Sequence, residues 1–162
     1  MLSSHWTRLP TAVVLLCAAA LASAGDRPIF THKDLAIRGY DPVAYFSLVD
    51  GAKAVAGSPE ITAQYMGSTW QFASEKNRAA FQANPTRYAP QYGGYCAFAV
   101  SHGFTKPVDP DAWHIKNDKL YLNLSKRVKR KWLKDRDAAI VRADGHWPTV
   151  LTACEAKNNC YD

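Results

Sequence analysis

The chain has 162 residues, a formal net charge of +6 and an apolar fraction of 48%. This length fits one domain with a modest core, and no internal repeat or low-complexity stretch indicates a second domain. No apolar run reaches the roughly 20 residues that a transmembrane helix needs, so the composition excludes a membrane-spanning protein and predicts a soluble one.

The first 24 residues have the features of a secretory signal peptide. A short segment with Arg8 precedes an apolar run over residues 11–22, and the small residues Ala22-Ser23-Ala24 follow. This order is typical of an exported chain that is cleaved after Ala24. We therefore expect residues 1–24 to be removed, together with Cys17, and the mature protein to be periplasmic or secreted.

Two hairpins are predicted in the middle of the chain. The segment "EITAQYMGSTWQFAS" has two arms rich in β-branched and aromatic residues, joined at Met66-Gly67-Ser68. In "AWHIKNDKLYLNL", apolar and polar residues alternate on both sides of Asn117-Asp118, which is typical of a tight hairpin turn. Between the hairpins, one short buried element is expected near Cys96.

Two helices are predicted around these hairpins. Ser74 is a suitable N-cap for "EKNRAAFQANP", and Pro85 marks where that helix has ended. A second helix is expected over about residues 126–143, with Asp144-Gly145 and Pro148 ending it. The elements together predict a small α+β domain, in which a mostly antiparallel sheet of two hairpins packs with two helices.

The positive charge is concentrated in "SKRVKRKWLK", at the start of the second predicted helix. Such a run is also typical of nucleic-acid-binding and membrane-binding segments. Apolar residues recur here at helical spacing, however, so the Lys and Arg side chains are expected on the solvated face of an amphipathic helix. We do not expect a nucleic-acid partner, because an exported protein rarely meets one.

Three cysteines remain after removal of the signal peptide. Cys154 and Cys160 bracket a short polar segment and form the natural disulfide pair in an oxidising compartment. Closing that loop is expected to stabilise the tail by roughly 2 to 2.5 kcal/mol on the chain-entropy estimate. Cys96, in "YGGYCAFAVSHG", is then the unpaired thiol.

Three stretches of the sequence resemble one protein family. "GYDPVAYF", "YMGSTWQFASEKNRAAFQANPTRYAPQYGGYCAFAVS" and "DPDAWHIKNDKLYLN" follow one another between Ala36 and Asn123. In this order they resemble the exported bacterial proteins described as YHS domain-containing (seleno)proteins. The resemblance implies a YHS-type domain over residues 25–153, with its core match at 36–123, and leaves residues 154–162 as a C-terminal tail.

The resemblance implies a chemically active residue at one position of this chain only. Broader YHS domains have cysteines, thought to bind a metal, at the places that Ala44 and Ala73 occupy here, so that site is not implied. The exported branch instead has the cysteine that matches Cys96. Some members use selenocysteine, and we place it at this position, which points to chemistry at Cys96.

Three hypotheses for Cys96 follow. It binds a soft metal ion, copper, zinc or iron, with His102 and His114 as the other ligands, because thiolate and imidazole suit these ions. Alternatively, it reacts with a small thiol-reactive species such as a disulfide or a peroxide. In the third hypothesis it is an inert buried thiol in an interaction domain, since free cysteine is among the most buried residue types. The sequence favours the first hypothesis, a metal-binding module.

Hydrolytic activity is not expected. Ser101 and His102 are adjacent, and neighbours in an extended chain point to opposite faces, so they do not predict a catalytic dyad. The sequence has no nucleophile elbow and no zinc-protease helix. The sequence therefore favours a non-enzymatic module, with the thiol-redox protein as the enzyme-class alternative.

Overall fold

The computed structural model describes residues 29–157 and Cys160. The expected signal peptide, residues 1–24, lies outside these residues. In the described part of the chain, the strands are β1 (Thr31–His32), β2 (Leu35–Ala36), β3 (Ser58–Tyr65), β4 (Ser68–Phe72), β5 (Asp109–Lys116) and β6 (Lys119–Asn123). The α-helices there are α1 (Glu75–Ala83), α2 (Pro85–Tyr88), α3 (Ala97–Val100), α4 (Lys126–Leu133) and α5 (Arg136–Lys157).

Both predicted hairpins are confirmed. β3 pairs antiparallel with β4 through Met66-Gly67, and β5 pairs antiparallel with β6 through Asn117-Asp118. All four turn residues have positive φ, between 51° and 72°, which is the backbone conformation of the two-residue turns that match the twist of paired strands. The first hairpin extends into a mixed sheet of order β1-β2-β4-β3, in which Leu35 of β2 pairs parallel to Thr69.

The first predicted helix is also confirmed. α1 begins after Ser74, whose side-chain oxygen accepts a hydrogen bond from the backbone N–H of Asn77 at 3.1 Å. That bond pairs one of the N–H groups that a helix start leaves free. Phe81 on its buried face packs against Trp70 and Phe72 of β4, with ring centroids 5.1 and 5.2 Å away.

The predicted end of the second helix is wrong. The helix breaks earlier, between Leu133 and Arg136, and then continues as α5 through Gly145 and Pro148 to Lys157. Packing explains the difference: α5 lies on α3 and buries a helical stripe made of Ala139, Ala143, Val150 and Cys154. The burial of this stripe offsets the one hydrogen bond that Pro148 cannot donate.

The tail expected at 154–162 therefore begins inside a helix. Cys154 lies in the last turns of α5, within disulfide distance of Cys160, and their Cα atoms are 4.6 Å apart. The hydroxyl of Thr105 donates a hydrogen bond to the backbone carbonyl of Cys160. Cys160 thus lies against the loop that follows α3.

The small α+β domain is confirmed, with one core that spans both sheets. Its largest fully buried side chains are Trp70, Trp113, Trp132, Tyr45, Phe30 and Phe72. In residues 29–157, no helix combines the length and the apolar content needed to cross a bilayer.

Candidate functional site

Cys96 lies deep in the core, at the N-terminal end of α3. Its side chain is 1% exposed, and its backbone N–H donates to the carbonyl of Lys106 at 3.0 Å. The Sγ atom lies 3.8 Å from Oδ1 of Asn123, which also accepts from the N–H of Phe98 at 3.3 Å. A buried thiol that donates to a buried amide oxygen is a satisfied interior group.

Burial also sets the ionisation of this thiol. It raises the pKa of Cys96 above the ordinary value of 9.0, although hydrogen bonds from nearby backbone groups oppose the shift. The thiol therefore stays protonated at neutral pH. Since the thiolate is the nucleophile and the metal ligand, this environment suits an inert cysteine better than a reactive one.

His102 lies in the turn that ends α3, on the surface. Its Nδ1 atom is 2.8 Å from the carbonyl oxygen of Phe98 and 3.1 Å from Oγ of Ser101, and its ring packs on Phe98 at 4.5 Å. The reason given above against a Ser-His dyad is wrong, because the chain is helical here and brings the two side chains together. Both groups nevertheless point at the same carbonyl, so Nδ1 is the donor and is not a base for Ser101.

His114 lies on β5, against α4 and α5. Its Nδ1 atom is 3.7 Å from the Asp50 carboxylate, and its Nε2 atom is 3.3 Å from the Arg136 guanidinium. Burial lowers the pKa of His114, and the nearby cations Lys129 and Arg136 add to that effect, while Asp50 opposes it. The imidazole is therefore neutral at pH 7.

The three expected metal ligands are not brought together. Cys96 donates to Asn123 and His102 to the carbonyl of Phe98, while His114 contacts Arg136 through Nε2 and its Nδ1 atom is buried without a hydrogen-bond partner among the described residues. Within residues 29–157 and Cys160, no group of three or more His, Cys, Asp or Glu side chains is arranged to hold a metal ion. These residues therefore form no ligand set at Cys96 in the described structure, and binding of copper, zinc or iron stays a prediction.

Ala44 and Ala73 meet around one buried carboxylate. Asp41 is fully buried, and its Oδ1 atom accepts from the N–H groups of Val43 and Ala44. Its Oδ2 atom accepts from the N–H of Ala73 at 2.8 Å and from the side-chain amide of Asn77 at 2.6 Å. Asp41 therefore joins the two positions structurally, while both side chains are methyl groups that cannot bind a metal.

A cleft lies on the surface of the domain, away from Cys96. It measures about 270 Å³ and lies between the β3–β4 turn, the segment 86–93 and the middle of α5. The side chains that matter to its chemistry are Tyr65, Met66, Tyr92, Asp144, Trp147 and Pro148. Ligand sites of this kind are concave, rich in aromatic residues and supplied with a few polar groups.

Tyr92 lines this cleft and is mostly buried. Its backbone is left-handed, with φ 55° and ψ 38°, a conformation that residues other than glycine seldom adopt. Its hydroxyl donates to Oδ1 of Asp144 at 2.8 Å, and its ring lies 5.8 Å from that of Trp147. Burial raises the pKa of Tyr92, and the hydrogen bond to Asp144 adds to the effect, so the phenol stays protonated.

The cleft was not predicted from the sequence, because the basic helix was expected to end before Asp144. Asp144, Trp147 and Pro148 all belong to the part of α5 that was expected to be a stop. The signal was present: Trp147 follows the buried residues Ala139 and Ala143 at helical spacing, and Val150 and Cys154 continue the same face.

Comparisons of this chain with known proteins found no similar protein. The search against family models found no match, and neither did the searches of curated proteins and of solved structures.

Proposed function

We propose that this chain is an exported, non-enzymatic module of YHS type that binds a small molecule in the cleft around Tyr92. The observation that carries the proposal is the cleft itself: about 270 Å³, lined by the side chains of Tyr65, Tyr92 and Trp147, with the carboxylate of Asp144 at its side. This volume lies just below the roughly 300 Å³ at which ligand pockets commonly begin, so it suits a small ligand.

The protonated phenol of Tyr92 supports a binding role. Catalysis by nucleophile or base needs a side chain whose ionisation is poised near neutral pH. The phenol of Tyr92 has a raised pKa and donates its proton to Asp144. A protonated phenol held by a carboxylate positions a ligand; it does not attack one.

Export and family membership are parts of the same proposal. Export is supported by the signal-like residues 1–24 and by the pairing of Cys154 with Cys160, which suits an oxidising compartment. Membership of the YHS family is supported by the motifs between Ala36 and Asn123 and by the contact of positions 44 and 73 with Asp41. Metal loading of native protein and of the Cys96→Ala variant, read by mass spectrometry, is the direct test of the metal hypothesis.

The cleft is tested by titrating the purified protein with small probes, namely phenol, indole and acetate, while backbone amide and indole N–H resonances are recorded. We expect at least one probe to shift the signals of Met66, Tyr92 and Trp147. Ala89→Phe is expected to abolish these shifts, because Ala89 lines the cleft with extended backbone that accepts a larger side chain.

Ala83→Phe is the matched control, since Ala83 is exposed at the end of α1 and away from the cleft lining. It should bind the probes as the unchanged protein does. If no probe shifts the cleft signals, or if the shifts survive Ala89→Phe, the cleft is not a binding site.

A further inference from the structure

We infer that the cleft around Tyr92 selects a small organic cation, an ammonium group that carries apolar substituents. This inference rests on the proposed function, because it names the ligand class of the same cleft. It follows from three features of the lining: aromatic side chains, one carboxylate, and no basic side chain among the residues that the structure describes there.

The aromatic side chains supply the first part of the recognition. Tyr65 and Trp147 line the cleft and are half-buried, so part of each remains open to solvent. The negative face of an aromatic ring attracts a cation, most strongly for tryptophan and for weakly hydrated ammonium groups with alkyl substituents. The thioether of Met66 adds a polarizable surface against the same alkyl groups.

The carboxylate supplies the charge. Asp144 uses Oδ1 to accept from Tyr92, while Oδ2 makes no hydrogen bond or ion pair with the described residues. Pro148 has no N–H, so the backbone carbonyl of Asp144 also lacks the donor that an ordinary residue at 148 would provide. One residue beside the cleft thus presents an unpaired carboxylate oxygen and a backbone carbonyl that lacks its helical donor.

Two arginines that are close to lining residues in the sequence have other partners. Arg87 follows the lining residue Thr86, but its guanidinium lies over the rings of Phe46 and Tyr88. Arg142, on α5, pairs with Asp135 at 2.8 Å. The cleft is therefore a local acceptor region in a chain whose net charge is +6, and recognition of a cation there must act at short range.

Calorimetry of the purified protein with two probes of equal shape tests the inference. One probe is choline, and the other is its carbon isostere, in which a neutral tert-butyl group replaces the trimethylammonium group. Both fill the same space, so a difference between them measures the effect of the charge. We expect choline to bind at least about 10-fold more tightly than the isostere.

Two variants locate the effect. Asp144→Asn keeps an oxygen for the Tyr92 hydroxyl and removes the charge, so it should weaken choline binding about 5-fold and leave the isostere unchanged. Asp137→Asn removes the same charge from an exposed position of α5 outside the lining of this cleft, and should change neither probe. Trp147→Leu should weaken choline more than the isostere.

Equal affinities for choline and the isostere would overturn the inference and leave the cleft as a site for neutral molecules. So would choline binding that Asp137→Asn weakens as much as Asp144→Asn, because the charge effect would then be general. If choline fails to bind while phenol or indole shifts the cleft signals, the ligand class is wrong and the proposed function stands. If choline and all of the other probes fail, both are wrong.

Discussion

The Cys96 environment and the cleft around Tyr92 differ in whether their polar groups are accessible to a ligand. Cys96 is closed: its thiol is 1% exposed, protonated, and paired with the buried amide of Asn123. The cleft is open: Trp147 is half-buried, and one oxygen of Asp144 has no partner in the described structure. The residue type most associated with reactivity lies in the core, while aromatic and carboxylate groups remain accessible to a ligand.

This contrast distinguishes residues that contribute to folding stability from residues that are available to bind a ligand. The contact between Cys96 and Asn123 contributes to folding, because the thiol and the Phe98 N–H would otherwise be buried donors without an acceptor, although Nδ2 of Asn123 is buried without a partner among the described residues. An exposed carboxylate such as Asp144 contributes little to folding and stays free to contact a ligand. Substitutions on the two sides should therefore change different measurements.

The largest effect on folding is expected at Asn123. Asn123→Ala removes the acceptor of the Phe98 N–H and of the Cys96 thiol, and leaves a void at a fully buried position. We expect the free energy of unfolding to fall by about 3 kcal/mol, measured by urea denaturation. Gln82→Ala, an exposed amide on α1, should change it by less than about 0.5 kcal/mol. Similar losses in both variants would mean that the Asn123 amide is not a structural partner of Cys96.

A smaller effect is expected at alkaline pH. Because burial raises the pKa of Cys96 above 9.0 in the folded protein, the folded state holds this proton more tightly than the unfolded chain does. The contribution is complete below about pH 9 and is lost as the pH rises through the folded-state pKa. Unfolding free energies measured from about pH 8 to about pH 10 should therefore fall more steeply for the unchanged protein than for Cys96→Ala.

Buried tyrosines also titrate in this direction, and Tyr121, whose pKa burial raises to about 12, is one of them. They are present in both proteins, so the difference between the two curves isolates Cys96. A steeper fall in Cys96→Ala, or stability of the unchanged protein that rises above pH 9, would indicate a stabilised thiolate. The Cys96 environment would then be a reactive or metal-binding site, and the contrast with the cleft would fail.

Local signals explain which parts of the fold were predictable. Both hairpins and α1 follow from features that lie within a few residues: alternation around a tight turn, and Ser74 in front of a helix. The burial of Cys96 was among the open hypotheses, since "GYCAFAV" surrounds it with apolar and aromatic neighbours. These signals need no knowledge of the rest of the chain.

Long-range packing explains what was not predictable. The continuation of α5 through Pro148 depends on contacts with α3, and the cleft depends on α5 reaching Tyr92, 52 residues before Asp144. The separation of His102 from His114 likewise follows from the packing of β5 on α4 and from the contact of His114 with Arg136 of α5. Helix propensity and ligand spacing do not contain these contacts, because tertiary packing decides them.

The smallest effect on folding is expected at Asp144, and it sharpens the contrast most. Asp144 is exposed, and Asn at this position still offers an oxygen to the Tyr92 hydroxyl. Asp144→Asn should therefore change the free energy of unfolding by less than about 0.5 kcal/mol. Tyr92→Phe, which deletes the donor of the same hydrogen bond, should cost about 1 kcal/mol. Urea denaturation and choline titration of the two variants measure the two contributions separately. A residue whose substitution barely changes the free energy of unfolding but weakens choline binding belongs to a ligand site. A loss in Asp144→Asn as large as in Asn123→Ala would instead make Asp144 a structural carboxylate, because its contact with Tyr92 would then hold α5 in place.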